Sequence, residues 1–403
     1  MAQQESTHSL AIQWHAAARD VKEQVRQQCI LRHVVLYVPT LNAGGAERAA
    51  LNLLEALPSS DLRVTLLLNR REGPLQATLP ANAAVVSLDA HRTLAAIPRL
   101  ASFLRRERPD VLISYLEFNN IAAILANRMA GRPTRIIVSH HVTMSSFDRG
   151  SSLKHRLVPL LYRMTLPAAD HVIAVSRGVA AGMPRALGKR SLLSVIENPI
   201  VHSRYRELAS VSLAHPWFGD NQPPVILGVG RLVPQKNFSL LIDAFSLVAG
   251  RRPARLVLLG EGPLRGQLLG QIGRLGLDQC ATILPVDPNP WPYMKGARVV
   301  VLSSLYEGFG NVLVEAMAVG TPVVSVDCPD GPAEILERGK WGRLVPAQDA
   351  AALAAAIAST LDDPGDAEAR QVRALDFSAP VIAARYRGLI DALAPARDLR
   401  ASG

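Results

Sequence analysis

Short apolar runs recur along the chain and are separated by stretches of helical period. The first, VVLYV (34–38), is continuous and β-branched, the signature of a strand covered on both faces. A glycine pair, Gly44-Gly45, and an amphipathic stretch over 46–57 follow it. The alternation continues through VTLLL (64–68), VVSL (85–88), DVLIS (110–114), RIIVS (135–139), HVIAVS (171–176) and LLSVI (192–196). It restarts with VILGVG (225–230), RLVLLG (255–260), ATIL (281–284), RVVVLS (298–303) and TPVVSV (321–326). Strand, helix, strand at this spacing predicts parallel βαβ units, and therefore an α/β fold of two Rossmann-like doubly wound domains. Residues 202–224 interrupt the pattern; they are polar and carry Pro216, Pro223 and Pro224. The expected organisation is a polar extension over 1–30, a first domain over 31–201, a linker over 202–224, a second domain over 225–378 and a closing helical segment over 379–403. Two such domains imply a cleft at the carboxyl ends of their strands, where ligands bind in open sheets. That placement alone names no chemistry.

Composition narrows the classes. With 403 residues, 49% of them apolar, the chain builds sizeable cores and is neither disordered nor fibrous. Its net charge of +10 points to nucleic acid, an anionic membrane surface or phosphorylated ligands. The charge is unevenly placed: nine Lys and Arg against two Asp between Arg135 and Arg190 contribute +7. A solvated face accounts for such a run equally well. Cys29, Cys280 and Cys328 form neither a disulfide framework nor a zinc spacing, which points to a reducing compartment. The first residues lack the apolar core of a secretory signal, and no apolar run approaches the roughly 18 residues of a spanning helix. The expectation is a cytoplasmic protein, at most peripheral at the inner face of the membrane.

The most specific feature is Ser304-Leu-Tyr-Glu307-Gly-Phe-Gly-Asn-Val-Leu-Val-Glu315, directly after the strand RVVVL. Its two glutamates stand eight apart, one in a glycine turn and one in the helix beyond. Gly308 and Gly310 are expected to let the backbone approach a ligand, and the following helix start offers free N–H groups to a diphosphate. Glu315 is placed to accept from sugar hydroxyls, as acidic residues do for ribose in other α/β nucleotide sites. After the strand VILGVG come Arg231 and Lys236, two cations five apart, suited to clamping a pyrophosphate leaving group. Loop cations of no special role are the competing account. Gly44-Gly45-Ala-Glu-Arg reads as a phosphate or sugar loop at a helix start, or as a tight turn needing positive φ. His140-His141 closes RIIVS and points into the cleft, and Gly260-Glu261-Gly262 ends RLVLL in the same placement or makes a plain turn.

Taken together these pieces resemble the retaining, nucleotide-sugar-dependent glycosyltransferases of the two-domain GT-B fold, called family 4 or group 1. The resemblance rests on Gly44-Gly45-Ala-Glu-Arg, GVGRLVPQKN (228–237), LLGEGPLR (258–265), EGFGNVLVE (307–315), GTPVVS (320–325) and GPAEIL (331–336), in family order. It implies a final helix that crosses back onto the first domain. It further implies that Arg231 and Lys236 bind the donor diphosphate, Glu307 contacts the transferred sugar and Glu315 holds the ribose. Gly45, with Gly44 beside it, would approach the phosphates or sugar, and His141 would stand at the sugar, with His140 competing for that role. Backbone from Phe309, Gly310, Asn311 and Val312 would meet the phosphates, and Glu261 would line the donor site. The family's reaction is described as front-face substitution, in which the leaving phosphate helps to deprotonate the acceptor.

No metal and no dissociable cofactor are expected: Asp362-Asp363 lies in a late polar stretch, and Asp327 and Asp330 flank Cys328-Pro329, so no DxD falls between strands. The cations take over charge neutralisation. Pro285 departs from the family, which usually has glycine after the strand corresponding to ATIL, and it removes an N–H beside the base. The donor is expected to be a nucleotide sugar, a UDP-sugar carrying a hexose or N-acetylhexosamine, and the acceptor a glycan or lipid-linked glycan. The alternatives are a nucleotide-sugar 2-epimerase of the same architecture, an NAD-dependent oxidoreductase, and a non-catalytic anion-binding scaffold. GxGxxG is absent after VVLYV, against the oxidoreductase. Nucleic acid is not an expected partner, because only Phe147 and Tyr162 interleave the basic segment. Leu153, Leu157, Leu160 and Leu161 beside Lys154, Arg156 and Arg163 point instead to docking on anionic lipid.

Overall fold

The apolar runs become strands whose buried faces account for their composition. In the computed structural model, which describes residues 31–57, 59–142, 160–183, 192–219 and 221–395, they form two parallel sheets. The first comprises β1 (Arg32–Val38), β2 (Leu62–Leu68), β3 (Ala84–Ser87), β4 (Val111–Tyr115), β5 (Arg135–His140), β6 (His171–Ala174) and β7 (Leu192–Val195), in the order β3-β2-β1-β4-β5-β6-β7. The second comprises β8 (Val225–Val229), β9 (Arg255–Leu259), β10 (Ala281–Leu284), β11 (Val299–Leu302), β12 (Val323–Val326) and β13 (Arg343–Val345), in the order β10-β9-β8-β11-β12-β13. β13 has no counterpart in the sequence reading. Strand order reverses between β1 and β4, where Val34 pairs with Val111, and between β8 and β11, where Ile226 pairs with Val299. Those two switch points open a crevice at the carboxyl ends of the strands.

The closing helix, Ala379–Leu393, packs on the first domain. Ile382, Ala383, Tyr386 and Ile390 share one core with Val34, Leu36, Leu53 and Leu54. Arg32, 5% exposed, donates to Asp391 at 2.6 Å and to Asp61 at 2.8 Å, and Arg387 donates to both acids from the helix side. The two places where the chain passes between domains are stitched together: the N–H groups of Ile200 and Val201 donate to the carbonyl of Phe377, and that of Ala379 donates to the carbonyl of Val201.

The described residues of 202–224, expected as a linker, touch both domains: Ser203 Oγ donates to Glu55 at 2.7 Å, and the residues that follow pack on the second domain. They carry a helical turn at Tyr205–Ala209, and Tyr205 stacks on Trp291 with 5.7 Å between ring centres. Of the basic stretch 152–165, residues 152–159, with Leu153, Lys154, Arg156 and Leu157, lie outside the described residues. Over 160–165 the chain is helical; Tyr162 is buried, while Leu160, Leu161, Arg163 and Met164 are exposed. Among the described residues no helix is long and apolar enough to cross a membrane.

Candidate active site

On the second domain, the loops after β8 and β11 are laced together. Gln235 accepts the N–H of Leu305 at 2.8 Å and donates through its amide to the carbonyl of Tyr306 at 3.0 Å, and Ser303 Oγ donates to the carbonyl of Lys236 at 2.9 Å. This lacing fixes the meeting of Lys236 and Glu307. Lys236 Nζ donates to Glu307 Oε1 at 2.6 Å, and Ser304 Oγ donates to the same oxygen at 2.6 Å. The two charged side chains are 17% and 9% exposed. An ammonium has three donors, so this contact leaves two for a ligand.

Gly310, with φ of 104°, turns the chain into the helix Asn311–Ala318. Among the described residues no side chain caps that helix, which leaves its first N–H groups available to an anion. Glu315 lies in the same helix, 7% exposed. Burial raises its carboxyl above the ordinary value, while Arg48 and Lys236 oppose the rise. Behind Glu307, burial pushes the Cys328 thiol up to about 12, so it stands as a neutral group.

The first domain supplies the facing wall. Its helix Gly45–Ala56 starts at the crevice, and polar contacts cross from this wall to the second domain. Arg48 donates to the carbonyl of Pro288 at 3.1 Å, Asn311 donates to the carbonyl of Gly45 at 3.3 Å, and Asn198 donates to Asn311 Oδ1 at 2.9 Å. Further along the wall, the Glu334 carboxylate accepts the N–H groups of Arg177 and Gly178 at 3.0 and 2.9 Å. His141 is 8% exposed; its Nε2 lies 3.0 Å from Ser139 Oγ, and its ring packs on Tyr115. Burial lowers its imidazole to about 3, so the ring is neutral.

The structure brings Lys236, Glu307 and Glu315 together on one side of the crevice. Arg231 is exposed at its mouth, close enough across the gap to oppose the upward shift that burial imposes on Glu47. Glu261 is exposed beside it, its carbonyl accepting the N–H of Leu232 at 2.7 Å. Val312 is half-buried in the first turn of the Asn311 helix. The Phe309 side chain turns away into the core against Phe377, leaving only its main chain near the helix start. Of the histidine pair, His140 is fully buried, and His141 carries the main chain that meets the second domain.

One glycine expectation is corrected. Gly44 is extended (φ −87°), and neither it nor Gly45 has positive φ. A Cβ on Gly44 would stand 2.2 Å from Glu47 Oε2, and one on Gly45 would stand 3.0 Å from Asn311 Nδ2, so a side chain at either position would displace the end of a neighbouring side chain. Gly308 makes room for the other domain, since a Cβ there would lie 1.8 Å from the His141 carbonyl oxygen. Sequence reasoning gave no role to Ser304, Arg48 or Asn198. Ser304 stands three residues before Glu307, a spacing that could have flagged it, whereas the Asn198 contact depends on the domain arrangement.

Comparison with known proteins identifies the family. Residues 43–204 match the model of Glycosyltransferase Family 4, and residues 216–393 that of the Glycosyl transferases group 1. The chain belongs to this family of glycosyltransferases, and its two Rossmann-like domains form a GT-B fold. It is similar to the N-acetylgalactosamine-N,N'-diacetylbacillosaminyl-diphospho-undecaprenol 4-alpha-N-acetylgalactosaminyltransferase of Campylobacter jejuni, at 26% identity over 81% of this chain and 90% of that one. It is also similar to the lipopolysaccharide core biosynthesis glycosyltransferase LpsE of Rhizobium meliloti, at 27% identity over 79% and 86%. Among solved structures, HepE of Anabaena in complex with UDP and glucose superposes with a TM-score of 0.73 at 22% identity, over 90% of this chain and all of that one.

Proposed function

We propose that this glycosyltransferase moves a hexose or N-acetylhexosamine from a UDP-sugar to a glycan or lipid-linked acceptor, with retention and without a metal, in surface polysaccharide or glycoconjugate synthesis. The observation that carries the reading is the Lys236–Glu307–Ser304 contact set beside Glu315, at the uncapped start of the Asn311 helix. In this scheme Arg231, Lys236 and the helix N–H groups hold the diphosphate, and they neutralise the charge that grows as the sugar–phosphate bond breaks. Glu315 accepts from the ribose. Glu307 faces the transferred sugar, and His141 borders its reacting side from the first domain. The acceptor oxygen bonds to the anomeric carbon on the face the phosphate leaves, and the acceptor proton passes to the departing phosphate oxygen.

The UDP and glucose in the HepE complex and the diphospho-undecaprenol acceptor named for the Campylobacter relative support the donor and acceptor classes. Exposed Leu160, Leu161 and Met164 beside Arg163 support docking of the first domain on an anionic membrane at its cytoplasmic face. Equal sedimentation with neutral and anionic vesicles would remove that part. The test of the main reading is a thermal-shift panel of UDP-, GDP- and ADP-sugars, followed by product analysis with and without a lipid-linked acceptor. UDP-sugars should stabilise the protein, and sugar should move only when acceptor is present. Epimerised sugar formed without acceptor would favour the epimerase.

A further inference from the structure

Of the polar contacts that cross between the domains, that of Glu334 is given no task by the transfer scheme. Glu334 stands in the helical turn Pro332–Ile335 after β12 and reaches out of the second domain. Its two carboxylate oxygens accept separate main-chain N–H groups of the first domain, Arg177 at 3.0 Å and Gly178 at 2.9 Å. Hydrogen bonds with an ionised acceptor are about twice as strong as neutral ones. The amides are held ready for it. Ser176, fully buried, accepts the N–H of Val179 through its Oγ at 3.1 Å and so fixes the turn that presents them. Gly178 also lies flat against the second domain, because a Cβ there would stand 1.9 Å from Asp330 Oδ1 and 3.0 Å from Asp330 Cα.

The chain around Asp330 and Glu334 leads directly to the donor side. The carbonyl of Pro329 accepts the N–H of Glu307 at 3.3 Å. Gly331, with φ of 102°, passes so near Phe309 that a Cβ would lie 1.8 Å from the Phe309 carbonyl oxygen. The same stretch is also tied to the place where the chain crosses between domains. Arg373 donates to the carbonyls of Glu334 and Ile335 at 3.1 and 3.2 Å, and its guanidinium lies 4.8 Å from the centre of the Phe377 ring. Phe377 in turn accepts the N–H groups of Ile200 and Val201. The short segment 329–335 therefore touches the first domain and the Glu307–Phe309 turn, and Arg373 joins it to the crossing.

We infer that Glu334 is a positioning residue for sugar transfer: its carboxylate latches the first domain, at the Arg177 and Gly178 amides, to the segment that braces the Glu307–Phe309 turn. The inference rests on the reading that Glu307 faces the transferred sugar. Glu334 acts through that turn and not through contact with the substrate.

The test compares Glu334→Ala, which removes both acceptors, with Gly178→Ala, which sets a methyl group against Asp330 and leaves Glu334 in place. In each, kcat should fall about ten-fold or more. UDP affinity should hold within about two-fold, because the groups proposed to hold the diphosphate and ribose all belong to the second domain. Exchange of the Arg177 and Gly178 amides should accelerate about ten-fold in Glu334→Ala. X-ray scattering with UDP bound should give both variants a larger radius of gyration than wild type. Glu334→Gln keeps the length and one acceptor oxygen, and its kcat should fall between wild type and Glu334→Ala. Wild-type kcat or unchanged amide exchange in Glu334→Ala would overturn the inference, as would a kcat loss matched by an equal loss of UDP affinity. If Glu334→Ala does not fold, Glu334→Gln and Gly178→Ala decide the matter by the same readouts. Should the wild-type protein transfer no sugar, the proposed function fails, and amide exchange and scattering still decide whether Glu334 latches the domains.

Discussion

Replacing Glu307 by glutamine should tighten UDP binding while slowing transfer. The substitution keeps shape and removes one negative charge 2.6 Å from Lys236 Nζ. A phosphate oxygen bonded to the same ammonium would lie about 5 Å from the Glu307 oxygen, given ordinary hydrogen-bond lengths. At an effective dielectric of about 20, two unit charges at that distance repel by about 3 kcal/mol. Side-chain exposures of 17% and 9% allow some solvent screening, so about 1–2 kcal/mol remains, or about 5- to 30-fold in Kd. Titration calorimetry with UDP alone reads this without any acceptor. Transfer should fall about 10²- to 10³-fold, because a carboxylate facing the sugar stabilises the positive charge that develops there. UDP affinity that stays the same or weakens in Glu307→Gln would refute the account of Lys236 as shared between glutamate and diphosphate.

Lys236→Ala and Glu307→Ala should each abolish transfer while circular dichroism shows an intact fold; wild-type rates in both would sink the assignment. Gly308→Ala should retain UDP binding but lose about a hundred-fold or more in rate, since its methyl group would enter the His141 carbonyl and hold the domains apart; a normal rate would show that the walls need not meet. Asp61→Asn should lower the melting temperature at neutral pH. Arg387, Ser59 and Arg32 hold the Asp61 carboxyl well below its ordinary value of 3.8, so its contribution is present above that value and lost as pH falls below it. The gap in melting temperature between wild type and variant should thus be constant above about pH 5 and close in acid; a gap that widened in acid would contradict the assignment.

The central strands were legible because strands covered on both faces must be continuously apolar; Val34 to Val38 are all wholly buried. β13 escaped because Arg343–Val345 is a three-residue edge strand, half-buried over most of its length. In the site, the spacing of Glu307 and Glu315 and Lys236 after β8 were legible as one group, since each follows a strand end that the alternation locates, and the structure brings their side chains together. The alternative of a positive-φ turn at Gly44-Gly45 fails, and the close neighbours of Gly44, Gly45 and Gly308 are Glu47, Asn311 and His141. Contacts between domains leave no periodic trace. The burial of Glu117, 7% exposed at the start of the helix Glu117–Met129, was hidden differently: in the sequence it looks like an ordinary acidic residue of a first helical turn.

The closing helix has a consequence for the order in which the molecule can be made. The first domain leaves the ribosome early, and domains generally fold as they emerge. Yet the surface of helix Gly45–Ala56 shares its core with Ile382, Ala383, Tyr386 and Ile390, and Arg32 waits for Asp391. Those partners arrive after some three hundred and fifty further residues have been added. Until then the early domain exposes an apolar seam, and Arg32 has Asp61 but lacks its second carboxylate. The portion synthesised first is completed last.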